Sequence, residues 1–153
     1  MGLVTQYQGR QLPGPVNKTE NDFTWSQDSV GNSYISATVT TLDSGQSYQA
    51  QSKTTQTVDI YGNVTQVNNF NYGNLSTPAR TYNYTYLNAS AYTSLYIFNR
   101  LATASVTNGT TTTPLATNTY DAALNNGSNG PLGCSVTVTN PNSNWDTTRR
   151  VCA

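Results

Sequence analysis

Asp28-Ser29-Val30-Gly31-Asn32 and, thirty-one residues further on, Asp59-Ile60-Tyr61-Gly62-Asn63 are two copies of one pattern, Asp-x-x-Gly-Asn. Its chemistry is that of a tight turn. The aspartate can accept a hydrogen bond from a backbone N–H two residues on, and the glycine supplies the left-handed conformation that ends a type I turn with a bulge. Each copy runs into β-favouring residues, Ser33-Tyr34-Ile35 after the first and Val64-Thr65-Gln66-Val67 after the second. The unit is therefore a turn that launches a strand. A third, weaker copy starts at Tyr120-Asp121, where Leu124-Asn125 stands in place of Gly-Asn and Gly127 comes late. Repeats of this length point to stacked or wound β units that share a continuous core.

Outward from these turns, β-favouring runs alternate with turn residues. Residues 34–42 (YISATVTTL) read as a strand that ends at Asp43-Ser44-Gly45, and residues 47–61 and 64–72 as the next two. Tyr82, Tyr84 and Tyr86 sit two apart, which places their rings on one face of a strand. Residues 95–107 (LYIFNRLATASVT) form the most apolar run, closed by Asn108-Gly109, a hairpin signal in which both turn positions need positive φ. Residues 110–120 are the return strand, with Pro114 marking an edge or a bulge. Residues 121–133 read as a loop and 134–140 as a last strand. Residues 1–22, with Gly14 between Pro13 and Pro15, read as a loop or linker with one short strand over 3–8. No helix is expected; the only candidate window, 89–100, holds Tyr, Thr, Ile and Phe rather than good helix formers. The fold class is all-β, an open antiparallel sheet of long hairpins.

Composition excludes several classes. Seven basic residues balance seven acidic ones and histidine is absent. With no Lys or Arg cluster to release counterions, no nucleic-acid partner is expected. Zero net charge, eleven Tyr and twenty-six Thr argue against disorder despite a mean hydropathy of −0.52, because Thr, Tyr and Val suit a pleated, half-wet surface. Apolar residues make up 35% of the chain, below the usual figure of about 45–50%, so a thick enzyme-type core is not expected. No apolar run of membrane-spanning length exists, and Met1-Gly2-Leu3-Val4-Thr5-Gln6 lacks the basic head and apolar core of a signal peptide. The polar, Thr- and Asn-rich composition still reads as secreted or cell-surface protein, with the export signal upstream and this chain a fragment.

The residues that could carry chemistry are few. Without histidine there is no His-based triad, no serine sits in Gly-x-Ser-x-Gly, and no cofactor loop appears. Glu20 and Asp22 could share a strand face, but the pair is read as solvated loop acids rather than as a glycosidase pair. Asp28 and Asp59 are read as turn caps, and no Asp-x-Asp-x-Asp-Gly loop supports calcium. Cys134 and Cys152 either form a disulfide, closing a short loop and contributing about 3 kcal/mol, or remain two free thiols; two lone cysteines are a poor metal site. Trp25, Tyr82, Tyr84, Tyr86 and Tyr92 could form a sugar-stacking platform, against the plainer reading of cross-strand packing in a wet sheet. Seven Asn-x-Ser/Thr sequons, starting at Asn17, Asn63, Asn74, Asn83, Asn88, Asn108 and Asn126, follow from Asn and Thr abundance.

Val58-Asp59-Ile60-Tyr61-Gly62-Asn63-Val64-Thr65 resembles the Tyr-Asp-x-x-Gly-Asn-Val-Thr unit of YD repeats, with Val where Tyr is usual. Tyr120-Asp121 keeps the naming dipeptide. The Trp25-Ser26-Gln27-Asp28 opening and the run from Tyr72-Gly73-Asn74-Leu75 to Asn99-Arg100-Leu101 also look like Tyr-rich RHS-repeat proteins of bacteria. The likeness covers roughly residues 20–125. It implies a β-sheet that spirals into a shell enclosing a toxin or presenting surface for cell contact and carbohydrate binding. Departures are clear: the chain has no Asp-Pro dipeptide, so the self-cleaving end of such shells is missing, and no toxin module follows. On this reading residues 23–125 are the repeat region and 126–153 a loop plus terminal strand, the start of another repeat. The chain is then a non-enzymatic, shell-like segment whose partners are flanking repeats of the same polypeptide. The alternative is an adhesin-like β domain that binds cell-surface carbohydrate. A shell segment should have open sheet edges, long hairpins and no pocket; a binding module should be a closed sandwich with a concave aromatic face.

Overall fold

A computed structural model describes residues 2–10 and 17–120. Within them eight strands follow one another in chain order: β1 (Gln6–Arg10), β2 (Asn17–Gln27), β3 (Ser33–Leu42), β4 (Ala50–Val58), β5 (Val64–Phe70), β6 (Arg80–Tyr86), β7 (Leu101–Asn108) and β8 (Thr111–Thr117), with one helical turn, α1 (Ser90–Thr93), between β6 and β7. They form a single open sheet in which neighbours in sequence are neighbours in space, so β1 and β8 are its edges. The pairs from β1 to β6 are antiparallel. Pro114 falls on edge strand β8, where a missing N–H costs the sheet least. No helix among the described residues is long and apolar enough to cross a membrane. The chain divides into two units, Met1–Tyr84 with Ser105–Leu115, and Thr85–Ala104 with Ala116–Ala153.

In the first unit the only buried residue among those described is Thr41, at 2% exposure; the rest of the strands are half-buried. Registers show why. Directly paired residues point to the same side of a sheet, and successive residues point to opposite sides. One side carries the row Gln8–Glu20–Thr41–Gln51 and the row Thr55–Asn68–Thr81. The other carries Phe23, Trp25, Leu42, Val67 and Tyr82. The polar side is a ladder of side-chain hydrogen bonds. Gln6 Nε2 donates to Asp22 Oδ1 at 2.8 Å and Gln8 Nε2 to Glu20 Oε2 at 2.9 Å. Gln51 Nε2 donates to Thr41 Oγ1 at 3.0 Å, so the one buried hydroxyl is satisfied. Asn68 donates to Thr55 at 3.1 Å and accepts from Thr81 at 2.8 Å, and Gln66 Nε2 donates to Asn83 Oδ1 at 3.0 Å.

In the second unit the core is Tyr92, at 2% exposure, with Ala104. Tyr92 meets the Tyr120 ring edge-on at 6.5 Å, and Tyr120 donates its hydroxyl to the Leu101 carbonyl at 3.0 Å. The Arg100 guanidinium lies 5.5 Å from the centre of the same Tyr120 ring. α1 ends in the Schellman pattern: Ile97 N–H donates to the Tyr92 carbonyl and Tyr96 N–H to the Thr93 carbonyl, both at 3.1 Å. Tyr96 occupies the position usually held by glycine, at φ 59°.

Several expectations need correction. Residues 1–22 are not a loop with one short strand: β1 covers Gln6–Arg10 and β2 begins at Asn17, so the sheet starts well before residue 23. The stretch Asn17 to Asp22 is almost wholly polar, and a hydrophobic alternation cannot mark a strand whose side chains are held by the ladder. Residues 95–107 are not one strand, because the chain leaves α1 through a left-handed residue and β7 begins only at Leu101. The expectation of no helix gives way to one turn at α1. The hairpin between β7 and β8 is also shifted by one residue. Its loop is Gly109-Thr110, Asn108 is the last residue of β7, and only Gly109 has positive φ, at 59°. Glycine in the first central position suits a II′ loop rather than the expected I′ loop. The third repeat copy beyond Tyr120, the strand expected at 134–140, and Cys134 and Cys152 lie outside the described residues.

Candidate functional site

The two Asp-x-x-Gly-Asn segments are one structure made twice. Asp28 N–H donates to the Asn32 carbonyl at 3.0 Å and Gly31 N–H to the Asp28 carbonyl at 3.2 Å; the second copy repeats this with Asp59, Asn63 and Gly62 at 2.9 and 3.1 Å. The carboxylates do the same work. Asp28 Oδ1 accepts from Val30 N–H at 3.0 Å and Asn32 N–H at 2.9 Å, while Oδ2 accepts from Asn32 Nδ2 at 2.9 Å. Asp59 Oδ1 accepts from Tyr61 N–H and Asn63 N–H, both at 2.9 Å, and Oδ2 from Asn63 Nδ2 at 2.8 Å. Gly31 and Gly62 have φ of 91° and 81°. With both oxygens of each carboxylate engaged inside its own turn, these aspartates are caps. Desolvation raises the Asp28 pKa, but hydrogen bonds from the Asn32 side chain and from the backbone of Asn32, Val30 and Gly31 outweigh it and hold the carboxyl below its ordinary 3.8.

The turns also share a device just beyond them. Each hairpin has a register shift in which one extra residue is inserted, and its hydroxyl bonds across the hairpin. Ser26 Oγ donates to Ser36 Oγ at 2.7 Å, with Ser36 Oγ donating to the Thr24 carbonyl at 3.3 Å. Thr57 and Thr65 hydroxyls lie 3.0 Å apart, with Thr65 Oγ1 donating to the Thr57 carbonyl at 3.3 Å.

The proposed aromatic platform is dispersed. Trp25 and Tyr82 are on the same side of the first unit's sheet, but β3, β4 and β5 intervene, a separation of roughly 19 Å at the usual strand spacing. Trp25 spends its indole N–H on the Val4 carbonyl at 2.8 Å. Tyr82, Tyr84 and Tyr86 alternate along β6 and all are half-buried, and Tyr92 is the core residue of the second unit. Glu20 and Asp22 share one face of β2, within a strand rather than a loop, and each is tied to a glutamine of β1. Among the described residues, no three His, Cys, Asp or Glu side chains gather as a metal site.

One concavity was not anticipated. An open groove of about 450 Å³ is lined by Gln49, Ala50, Gln51, Tyr72, Gly73 and Leu75. It forms where the start of β4 meets the segment after β5, with Gly73 N–H donating to the Gln51 carbonyl at 3.0 Å. The Tyr72 side chain is 52% exposed there. In the sequence only the Tyr72-Gly73-Asn74 turn signal hinted that an aromatic residue would be held at a loop.

No protein-family model, no curated protein and no solved structure matches this chain.

Proposed function

We propose that this chain is a non-enzymatic structural segment of the RHS/YD-repeat type, contributing to a β-shell that encloses a toxin or presents surface for cell contact. The observation that supports it best is the duplicated turn. Two Asp-x-x-Gly-Asn segments form the same hydrogen-bonded hairpin end, each launching a strand of one meander whose first and last strands are edges. A meander of this kind can be lengthened at either end by further hairpins without disturbing those already made. The first unit is also under-filled. Its less polar face carries Phe23, Trp25, Leu42, Val67 and Tyr82 with no buried apolar residue among those described. Half-burial forgoes much of the roughly 1.5–3 kcal/mol that a large apolar side chain contributes when fully covered. Further repeats of the same polypeptide would supply the cover, and secretion or cell-surface display would place the shell where it acts.

The test compares the 153-residue chain with a longer polypeptide that continues it into the neighbouring coding sequence. Addition of flanking YD units should raise the melting temperature and reduce self-association, both read by scanning calorimetry and sedimentation. If the 153-residue chain is monomeric and melts cooperatively at high temperature, a self-contained binding domain becomes the better account.

A further inference from the structure

We infer that the groove at the start of β4 is a binding site for a neutral saccharide, with the Tyr72 ring as its stacking surface and Gln49 and Gln51 as its polar contacts. The two amides are fixed before any ligand arrives. Gly45 N–H donates to Gln49 Oε1 at 3.1 Å, and Gln51 Nε2 donates to the buried Thr41 Oγ1 at 3.0 Å. Each bond anchors one atom of an amide and leaves the other to the groove: Gln49 Nε2 remains a donor and Gln51 Oε1 an acceptor. Gly45 can serve this anchor because it turns at φ 83°, and the 72–75 segment is pinned to β4 by the bond from Gly73 to Gln51.

The ligand class follows from what the lining offers. None of its six residues is charged, so an anionic or cationic ligand finds no counter-charge. A purely apolar ligand would cover two amide groups without satisfying them. A sugar hydroxyl both donates and accepts, and so meets Gln49 Nε2 and Gln51 Oε1 alike. The C–H face of the same ring stacks on an exposed aromatic side chain, which offers a flat surface at low entropic cost. The groove's volume of about 450 Å³ lies within the range of small-ligand sites. The site is independent of the shell reading and is distinct from Trp25 and the β6 tyrosines, so either can fail alone.

The experiment titrates the full chain with cellobiose, maltose, lactose and chitobiose, followed by ¹H–¹⁵N correlation spectra that include side-chain amides. At least one disaccharide should shift the Gln49 and Gln51 amide signals and the Gly73 backbone signal, saturating in the millimolar range typical of a Kd of about 1 mM. Tyr72→Ala should weaken that binding roughly tenfold. Gln49→Ala should weaken it as well, and as both side chains are exposed, both variants should keep the parent spectrum elsewhere. The inference is overturned if none of the four sugars shifts these signals, if the shifts map to Trp25 or to β6, or if Tyr72→Ala binds as tightly as the parent.

Discussion

Replacing Gly62 with valine isolates what the repeated turn contributes. A Cβ built at Gly62 meets no heavy atom within 4 Å, so the substitution creates no clash with the rest of the protein. The whole penalty is then conformational. Gly62 sits at φ 81°, in the left-handed region, where an L-residue costs about 1–2 kcal/mol and a β-branched one sits at the upper end. A loss of about 2 kcal/mol should lower the melting temperature by roughly 4–8 °C for a chain of this size. Gly62→Asn is the control for side-chain bulk, since asparagine tolerates this region and should lose less than half as much. Val64→Thr controls for any polar change at the start of β5; Val64 is half-buried, so its cost should stay below about 1 kcal/mol. Urea unfolding followed by far-ultraviolet circular dichroism ranks the three. The reasoning fails if Gly62→Val is no more costly than Val64→Thr, or if Gly62→Asn costs as much as Gly62→Val. Gly31→Val, at φ 91° and with equally open space, should reproduce the Gly62→Val result.

Two further outcomes follow from local geometry. Asp28 has its pKa held below 3.8, so its contribution to stability is complete above the unfolded value and is lost as pH falls through the lower folded value. Amide exchange at Val30 and Asn32 should therefore quicken in acid below about pH 4, and Asp28→Asn should flatten that response; an unchanged profile in the variant would assign the effect elsewhere. Tyr96→Gly places glycine at the left-handed end of α1 and removes a side chain that is 85% exposed, so it should raise stability by about 0.5–1 kcal/mol. A melting temperature lower than the parent's would show that the ring contact of Tyr96 with Phe98, at 6.3 Å, outweighs the backbone strain.

What could be read in the sequence was whatever is settled within a few residues. Asp28 to Asn32 and Asp59 to Asn63 contain the acceptor, the left-handed residue and the amide that closes the turn, so the hairpin ends between β2 and β3 and between β4 and β5 were legible. The alternating tyrosines of β6 were legible for the same reason. Asn17 to Asp22 was not, because its strand is held by partners on β1 and β3 rather than by an apolar stripe of its own. α1 was hidden by poor helix formers; its single turn is held through Tyr92, which is packed against Tyr120. The turn at Gly109 moved by one residue since Asn-Gly fixes where a hairpin is favoured, while the pairing of β7 with β8 fixes which residues are central. The groove was beyond reach altogether: Gln49, Gln51 and Tyr72 meet only through β-sheet pairing and the bond from Gly73.

Hydrogen bonding, more than burial, explains how so polar a chain keeps its register. A strand that slips by one residue turns every side chain to the opposite face, and an apolar stripe normally forbids this. In the first unit such a stripe is weak, with no buried apolar residue among those described. The side-chain ladder substitutes for it. A slip of β1 against β2 would break the Gln6–Asp22 and Gln8–Glu20 bonds together, and a slip of β5 would break those of Asn68 with Thr55 and Thr81 and of Gln66 with Asn83. Each such bond contributes only about 0.5–1.5 kcal/mol net, but a slip loses several at once. The turns set where each hairpin begins, the inserted Ser36 and Thr65 set its twist, and the ladder locks the remainder. A sheet fixed in this way does not need a thick core to be specific, but it does need one to be stable. That division of labour is what a segment completed by its neighbours requires.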